Sequence, residues 1–255
     1  MEVARTIADA RRALASRADG AVGLVPTMGA LHDGHLSLLG AARAENDLVV
    51  MSLFVNPAQF GEGSDLAEYP RDEGRDLELA EAAGVNLVFA PLAEEMYPPG
   101  FQTWVDVVDL GSTLEGAFRP GHFRGVATVC LKLFAIVHPQ RAYFGQKDAQ
   151  QVEVIRRMIR DLSLEIELRV MPTVRDTDGL ALSSRNALLT PEERRQALTL
   201  PRALATGNRE QALAILAESN GLVVDYIELA DFEPPVLAGA VRVGDTRLID
   251  NVVIE

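Results

Sequence analysis

Residues 48–55, LVVMSLFV, are apolar at every position but Ser52. A strand of this kind cannot turn one face to water, so it needs covering layers on both sides. Around it, short β-rich runs alternate with helix-length segments. AVGLV (21–25) reads as a buried strand and LSLLGAARAEN (36–46) as a helix. RDLELAEAAG (75–84) reads as a helix closed by Gly84, and VNLVFAP (85–91) as the next strand. The β-rich run TWVDVVDL (103–110) follows a loop rich in Pro and Gly. Val126, Val129, Cys130, Leu133, Phe134 and Val137 recur at steps of three and four, the stripe of a buried helix that Pro139 ends. RAYFG (141–145) is a strand; Val152, Ile155, Ile159 and Leu162 mark a helical face; LEIELRVMPTV (164–174) is a further strand.

This rhythm predicts an α/β fold over residues 1–175, a doubly wound parallel sheet of Rossmann-like type with helices on both faces. Ligands of such sheets bind beyond the carboxyl ends of the strands, near a reversal of strand order. The loops after GLV, LFV, YFG and PTV are therefore the ones to inspect. From Asp176 the character changes. DTDGLALSSRN is a polar linker, and TPEERRQALTLPRAL opens with Thr190 as N-cap, Pro191 at the first helical position and Glu193 three beyond the cap. Two short helices and antiparallel strands follow, with Gly244-Asp245 as a tight turn. Residues 176–255 thus read as a small α+β domain.

A formal net charge of −13 argues against a general nucleic-acid binder, although a cleft within an acidic protein can be locally basic. The longest apolar-rich run, VATVCLKLFAIV (126–137), is too short to cross a bilayer, and the N-terminus has no signal-peptide core. The single Cys130 excludes an internal disulfide framework and fits a reducing compartment, the cytoplasm.

Against this background VPTMGALHDGHLSLL (25–39) stands out. It lies where a strand hands over to a helix, a place where backbone N–H groups lack intrahelical partners and the dipole favours an anion. Gly29 and Gly34 allow close backbone approach, and His32 and His35, one turn apart, share a face. Imidazoles there can donate to phosphate oxygens. Metal ligation or a purely structural role would also suit two histidines, but no Cys is nearby, and the other histidines, His122 and His138, are remote in sequence.

Four more segments carry weaker signals. Asn56 and Gln59 of VNPAQFG offer amides to a small polar ligand, or simply make a turn. Arg119 and Arg124 in RPGHFRG belong either to a solvated loop or to a cover bringing cations to phosphates. In YFGQKDAQQ, Lys147 is a point charge at a strand end, Asp148 can cap the following helix, and Gln151 faces the same way as Lys147. LSSRN (182–186) combines two hydroxyls with a guanidinium. No G-x-S-x-G surrounds Ser183 or Ser184, and neither a P-loop nor a G-x-G-x-x-G fingerprint occurs. The residues alone leave three readings open: an ATP-dependent ligase, a nucleotidyltransferase, or a non-catalytic nucleotide-binding protein.

PTMGALHDGH, FVNPAQF, YPRD, RPGHFRGV, FGQKDAQQ, DGLALSSRN and RLIDN, in this order along nearly the whole chain, resemble the pantothenate synthetase (pantoate–β-alanine ligase) family. The resemblance implies condensation of (R)-pantoate with β-alanine through a pantoyl-adenylate, giving pantothenate, AMP and pyrophosphate. It implies ATP contacts from Met28, Gly29, Ala30, Leu31, His32, Asp33, Gly34 and His35. It adds Gly145, Gln146, Lys147, Asp148, Val174, Leu182, Ser183, Ser184 and Arg185. His35, His32 and Lys147 would act on the phosphates, and Gln59 and Gln151 would bind pantoate, with Gln59 also near β-alanine. Mg²⁺ would accompany ATP, held mainly by phosphates and water; some members of the family show two adjacent acids around Asp76 that can meet metal, but Arg75 precedes it here, so no protein-bound ion is expected. A homodimer is also implied, with no nucleic-acid or membrane partner. Two departures from the family pattern are Gln146, where an acid is common, and a short region after Asn186.

Overall fold

A computed structural model describes residues 1–16, 20–61, 66 and 69–254. They fall into two compact units, Met1–Phe144 with Val154–Met171, and Gly145–Glu153 with Pro172–Glu255. No helix among the described residues is long and apolar enough to cross a membrane.

The first unit is built on a sheet of six strands: β1 (Glu2–Ala4), β2 (Val22–Thr27), β3 (Leu48–Leu53), β4 (Leu87–Phe89), β5 (Arg141–Gly145) and β6 (Glu167–Met171). Their order is β1–β4–β3–β2–β5–β6. β2 runs parallel to β3 and β5, and β4 parallel to β3 and β1. The α/β parallel sheet expected from the apolar run is thus present, with that run at its centre as β3. Side chains of alternate parity leave opposite faces. Val25, Val49, Met51 and Val88 meet α2 (Asp33–Glu45) and α3 (Glu73–Ala82) through Leu38, Leu39, Ala42 and Ala80. Leu24, Val50, Leu87 and Phe89, equally buried, leave the other face. On that side α1 (Ile7–Ala15) packs on α6 (His122–Val137), and these helices touch β4 and β2 respectively.

Several elements differ from the sequence reading. β1 and α1 precede the strand taken as first; three residues are too few to carry a periodic signal. β1 occupies the place beside β4, with Glu2 opposite Leu87 and Ala4 opposite Phe89. The β-rich run 103–110 forms no strand; Val105 N–H donates instead to Thr128 Oγ1 on α6 at 3.0 Å. Two one-turn helices flank this run, α4 (Ala93–Met96) before it and α5 (Glu115–Phe118) after it. Finally, α7 (Ala149–Asp161) stops before Leu162, which is exposed, and Ser163 turns the chain with φ of +51°.

β2 continues through Pro26 to Thr27, two residues past Val25, where AVGLV was expected to end. Pairing with β3 carries it there, through Thr27↔Leu53. Its register with β5 covers only Gly23↔Arg141 and Leu24↔Ala142. The buried Tyr143 of β5 anchors a polar corner: its hydroxyl donates to Glu45 Oε2 at 2.8 Å and accepts from Asn46 Nδ2 at 2.7 Å. Arg169 pairs with the same carboxylate. Cys130, buried on α6, has its thiol pushed up to about 12 by burial and is held as an inert thiol.

The second unit packs α8 (Pro191–Ala197), α9 (Thr199–Leu204) and α10 (Arg209–Ala217) with an antiparallel sheet, β7 (Leu222–Ala230), β8 (Val236–Val243) and β9 (Thr246–Val253). Leu200, Leu204, Leu216, Ile227, Leu237 and Val241 form its core. The Thr190–Glu193 capping box forms as expected. Gly239 lets β8 lie against this core, since a Cβ there would sit 2.5 Å from Ile227 Cδ1.

The polar corner yields a test. Tyr143→Phe removes one hydrogen bond from the buried Asn46 and one from the half-buried Glu45, and should cost about 1 kcal/mol, read from urea midpoints. Glu45 is held below its ordinary 4.5, first by Arg169 and then by the Tyr143 hydroxyl. Its contribution is complete above that value and is lost as pH falls through the lower folded one. The midpoint should therefore fall less steeply below pH 4.5 in Tyr143→Phe than in the unsubstituted protein.

Candidate active site

Within the first unit, β2 is where strand order reverses: the chain builds out to β3 and β4, then returns to place β5 on the other side. The segment leaving β2 carries Met28 to His35. Thr27 Oγ1 donates to Ser52 O at 2.7 Å, fixing the ends of β2 and β3 together. Gly29 and Ala30 then take left-handed conformations, φ +84° and +51°. Behind them lies Asp76 of α3, 2% exposed. Its Oδ2 accepts from Ala30 N at 2.9 Å and its Oδ1 from Leu31 N at 2.8 Å. Gly29 is required at this approach: a Cβ there would stand 2.7 Å from Asp76 Oδ2.

His32 is the N-cap of α2. Gly34 N–H donates to His32 Nδ1 at 3.1 Å, and His32 N–H donates to His35 Nδ1 at 3.3 Å, a reciprocal capping box built from two imidazoles. A ring nitrogen that accepts carries no proton, so in the neutral rings both protons sit on Nε2. The ring centroids are 4.1 Å apart. This corrects the expectation of unpaired backbone donors at the helix start. The N–H groups of Ala30, Leu31, Gly34 and His35 are already engaged, the last by His32 O at 2.8 Å. The chain supplies its own acceptors there, and the two imidazole protons lie on Nε2.

Beside this segment the loop after β3 makes a one-turn 3-10 helix, Pro57–Gln59. Gln59 Nε2 donates to Met28 Sδ at 3.1 Å, and its Oε1 accepts from Asn56 Nδ2 at 3.0 Å. Asn56, 1% exposed, also donates to Gly125 O and accepts from Tyr97 Oη at 2.8 Å. Burial holds the Tyr97 phenol above its ordinary range, so it remains that donor. His122 Nδ1 donates to Gln59 O at 2.9 Å, and its Nε2 accepts from Arg119 at 3.2 Å. The segment at 121–126 is therefore neither a solvated loop nor a cover. It is the first turn of α6, and Gly125 is pressed against Ala58 O, 2.3 Å from where a Cβ would be. Arg124 instead lies over the Trp104 ring, 4.9 Å from its centroid.

Gly145–Glu153 and the segment from Pro172 belong to the second unit. Gln146, Lys147 and Asp148 form a 3-10 turn ahead of α7, and Lys147 Nζ lies 3.6 Å from Asp148 Oδ1. Gln151 follows in the first turn of α7. Leu182 N–H donates to Val174 O at 3.0 Å, and Arg175 forms a two-residue bridge with Ala181. LSSRN is not an open linker: Ser183 Oγ accepts from Arg185 N at 3.3 Å and caps a 3-10 turn, Ser184–Leu188.

Sequence reasoning missed the part played by Asp76 and His122. Asp76 carried a readable signal. It sits four residues before Ala80 on the inward stripe of α3, an acid where a core residue belongs.

A family model described as pantoate-beta-alanine ligase matches residues 2–253. The chain belongs to the pantoate–β-alanine ligase family. It is 54% identical to the pantothenate synthetase of Moorella thermoacetica, over all of this chain and 99% of that one. The pantothenate synthetase of a Roseiflexus species is likewise 54% identical, with both chains covered in full. The Moorella alignment runs over 280 positions against 255 residues here, so that relative carries segments this member of the family lacks. Among solved structures, the pantothenate synthetase of Thermus thermophilus superposes with a TM-score of 0.94 at 47% identity, covering 99% of both chains. A pantoate-beta-alanine ligase from Francisella tularensis, complexed with beta-gamma ATP and beta-alanine, gives 0.90 at 36% identity, covering 99% of this chain and 97% of that one.

Asp76→Asn leaves one acceptor where two backbone donors point and removes the charge. It should lower stability by ~1–3 kcal/mol, seen as a fall in the urea midpoint at unchanged slope. An unchanged midpoint would mean that the loop between β2 and α2 does not depend on the carboxylate.

Proposed function

We propose that this family member condenses (R)-pantoate with β-alanine at the expense of ATP, in two steps. A pantoate carboxylate oxygen attacks the α-phosphorus; the bond to the β-phosphate oxygen breaks and pyrophosphate leaves. The amine of β-alanine then attacks the carbonyl of the pantoyl-adenylate; the carbon–oxygen bond to AMP breaks, and the amine gives up its proton. A free carboxylate resists an amine because its leaving group would be oxide, and adenylation replaces that with AMP. The protein's task is alignment and stabilisation of charge spreading over phosphate oxygens.

The imidazole capping box carries this reading. With both Nδ1 atoms held by backbone N–H groups, His32 and His35 have their protons on Nε2 at the strand-order reversal, where a sheet of this type takes its ligand. His35 is assigned the donor to the reacting phosphate and His32 the support of the same triphosphate. Met28, Gly29, Ala30, Leu31, Asp33 and Gly34 form the wall along which the nucleotide lies. Lys147 is assigned a point charge on the phosphates, with Gly145, Gln146 and Asp148 contacting the nucleotide. Val174, Leu182, Ser183, Ser184 and Arg185 add hydroxyls and a guanidinium, and residues 176–255 act as a lid domain. Gln59 and Gln151 hold pantoate, and Gln59 also faces β-alanine. The Francisella relative complexed with beta-gamma ATP and beta-alanine lends weight to these substrates.

Mg²⁺ is expected to enter with ATP on phosphate oxygens and water, where it would offset charge on the departing pyrophosphate. The donor set fits a nucleotide-borne ion: both Asp76 oxygens are taken by backbone N–H groups. No group of three or more His, Cys, Asp or Glu able to hold a metal occurs among the described residues. The enzyme is assigned to the cytoplasm as a homodimer.

Pyrophosphate release should require ATP and pantoate together, and pantothenate should form only when β-alanine is added. His35→Ala should lower kcat by roughly 10²–10³-fold, the loss of one transition-state donor. Near-unchanged turnover at saturating substrates would remove His35 from this role. A product that keeps its nucleotide whether or not an amine is present would point to nucleotidyl transfer, and ATP binding without pyrophosphate under any acid and amine pair to a non-catalytic protein.

A further inference from the structure

β9 is the outer strand in the order β7–β8–β9, and its residues Asp250 and Asn251 lie opposite Gly239 and Ala238 of β8. Both side chains are polar and nearly inaccessible, at 3% and 4% exposure, although they sit at the edge of a sheet. Asn251 directs its amide at the turn containing Lys147. Its Nδ2 donates to Gln146 O and to Lys147 O, both at 2.9 Å, and its Oδ1 accepts from Gln146 Nε2 at 3.1 Å. Both amide protons and the carbonyl are thus used on one turn. Asp250 accepts from Arg175 at two points, 2.6 and 3.0 Å, and its Oδ1 also takes the Asn251 N–H at 2.8 Å. Arg175 bridges Ala181 and reaches Gly179 O, at the base of the segment leading into Ser183 and Arg185.

We infer that Asn251 and Asp250 are positioning residues for ATP. One strand fixes, through adjacent side chains, the backbone that carries Lys147 and the segment that carries Ser183 and Arg185. This deepens the reading above and rests on it, since it takes Lys147 and Arg185 as phosphate-directed. The physical ground is the flexibility of lysine. Four methylene groups separate its charge from the backbone, so the ammonium is placed only if the peptide beneath it is fixed. The carbonyl of Lys147 itself is one of the groups Asn251 holds, and small misplacements of a charge at a reacting centre are costly. A merely structural role would anchor the turn without reference to the charge it bears.

A double-substitution cycle separates the two, with the KM for ATP read from pyrophosphate release and folding checked by thermal unfolding. Asn251→Ala should raise the KM for ATP about tenfold while leaving that for β-alanine within about twofold. In a Lys147→Ala background, Asn251→Ala should add less than about twofold, because the group it positions is gone. Asn251→Asp keeps the volume and one acceptor but loses both donors, and should behave as the alanine variant does. It serves in its place should Asn251→Ala fail to fold. Losses that multiply across the cycle, or an unchanged KM for ATP in the Asn251 variants, would overturn the inference. A Lys147→Ala enzyme indistinguishable from the unsubstituted one would instead overturn the assignment of Lys147 to the phosphates.

Discussion

The carboxylate of Asp76 is the constraint from which the first unit's site follows. It comes from α3, yet both its oxygens are spent on the backbone between β2 and α2. Two consecutive left-handed residues would be an unfavourable path for a chain free to choose, and Ala30 lacks glycine's tolerance for it. Two charge-assisted hydrogen bonds outweigh that cost and set where the α2 helix starts. The start in turn places His32 at the N-cap and His35 one turn on, so that each ring can take a backbone proton. A helix beginning one residue later would present different side chains at the reversal of strand order.

A second layer of buried polar groups does for Gln59 what Asp76 does for the histidines. Asn56 holds the Gln59 carboxamide, Tyr97 holds Asn56, and His122 takes the Gln59 carbonyl while accepting from Arg119. Such networks fix orientation when every member is satisfied, because breaking one contact strands a buried partner. The close packing at Gly125 leaves the layer no slack. An amide whose two ends are chosen in advance can discriminate a hydroxyl from a carboxylate oxygen.

Much of this was readable from the residues. The apolar run of β3 and the stripe of α6 are long enough for burial on both sides to dictate their pattern, and the Thr190 cap is a local device with a local signature. The family motifs, taken in order, pointed to the segments that carry the candidate site. What escaped was set by partners distant in sequence. β1 is defined by its pairing with β4, and the run 103–110 is tied to α6 rather than to a strand. Backbone donors at the start of α2 looked available because their acceptor, Asp76, lies more than forty residues away. The grip of Asn251 on the Lys147 turn spans over a hundred residues and leaves no periodic trace.

The short register between β2 and β5 has a consequence of its own. The ladder of β2 with β3 runs on through Pro26 to Thr27, but its register with β5 covers Gly23 and Leu24 alone. A proline cannot contribute an amide proton, so at Pro26 the central strand can offer a neighbour only its carbonyl. Beyond Leu24 the β5 side of β2 is therefore left without a continued ladder, and the opening is written into the backbone rather than into side-chain rotamers.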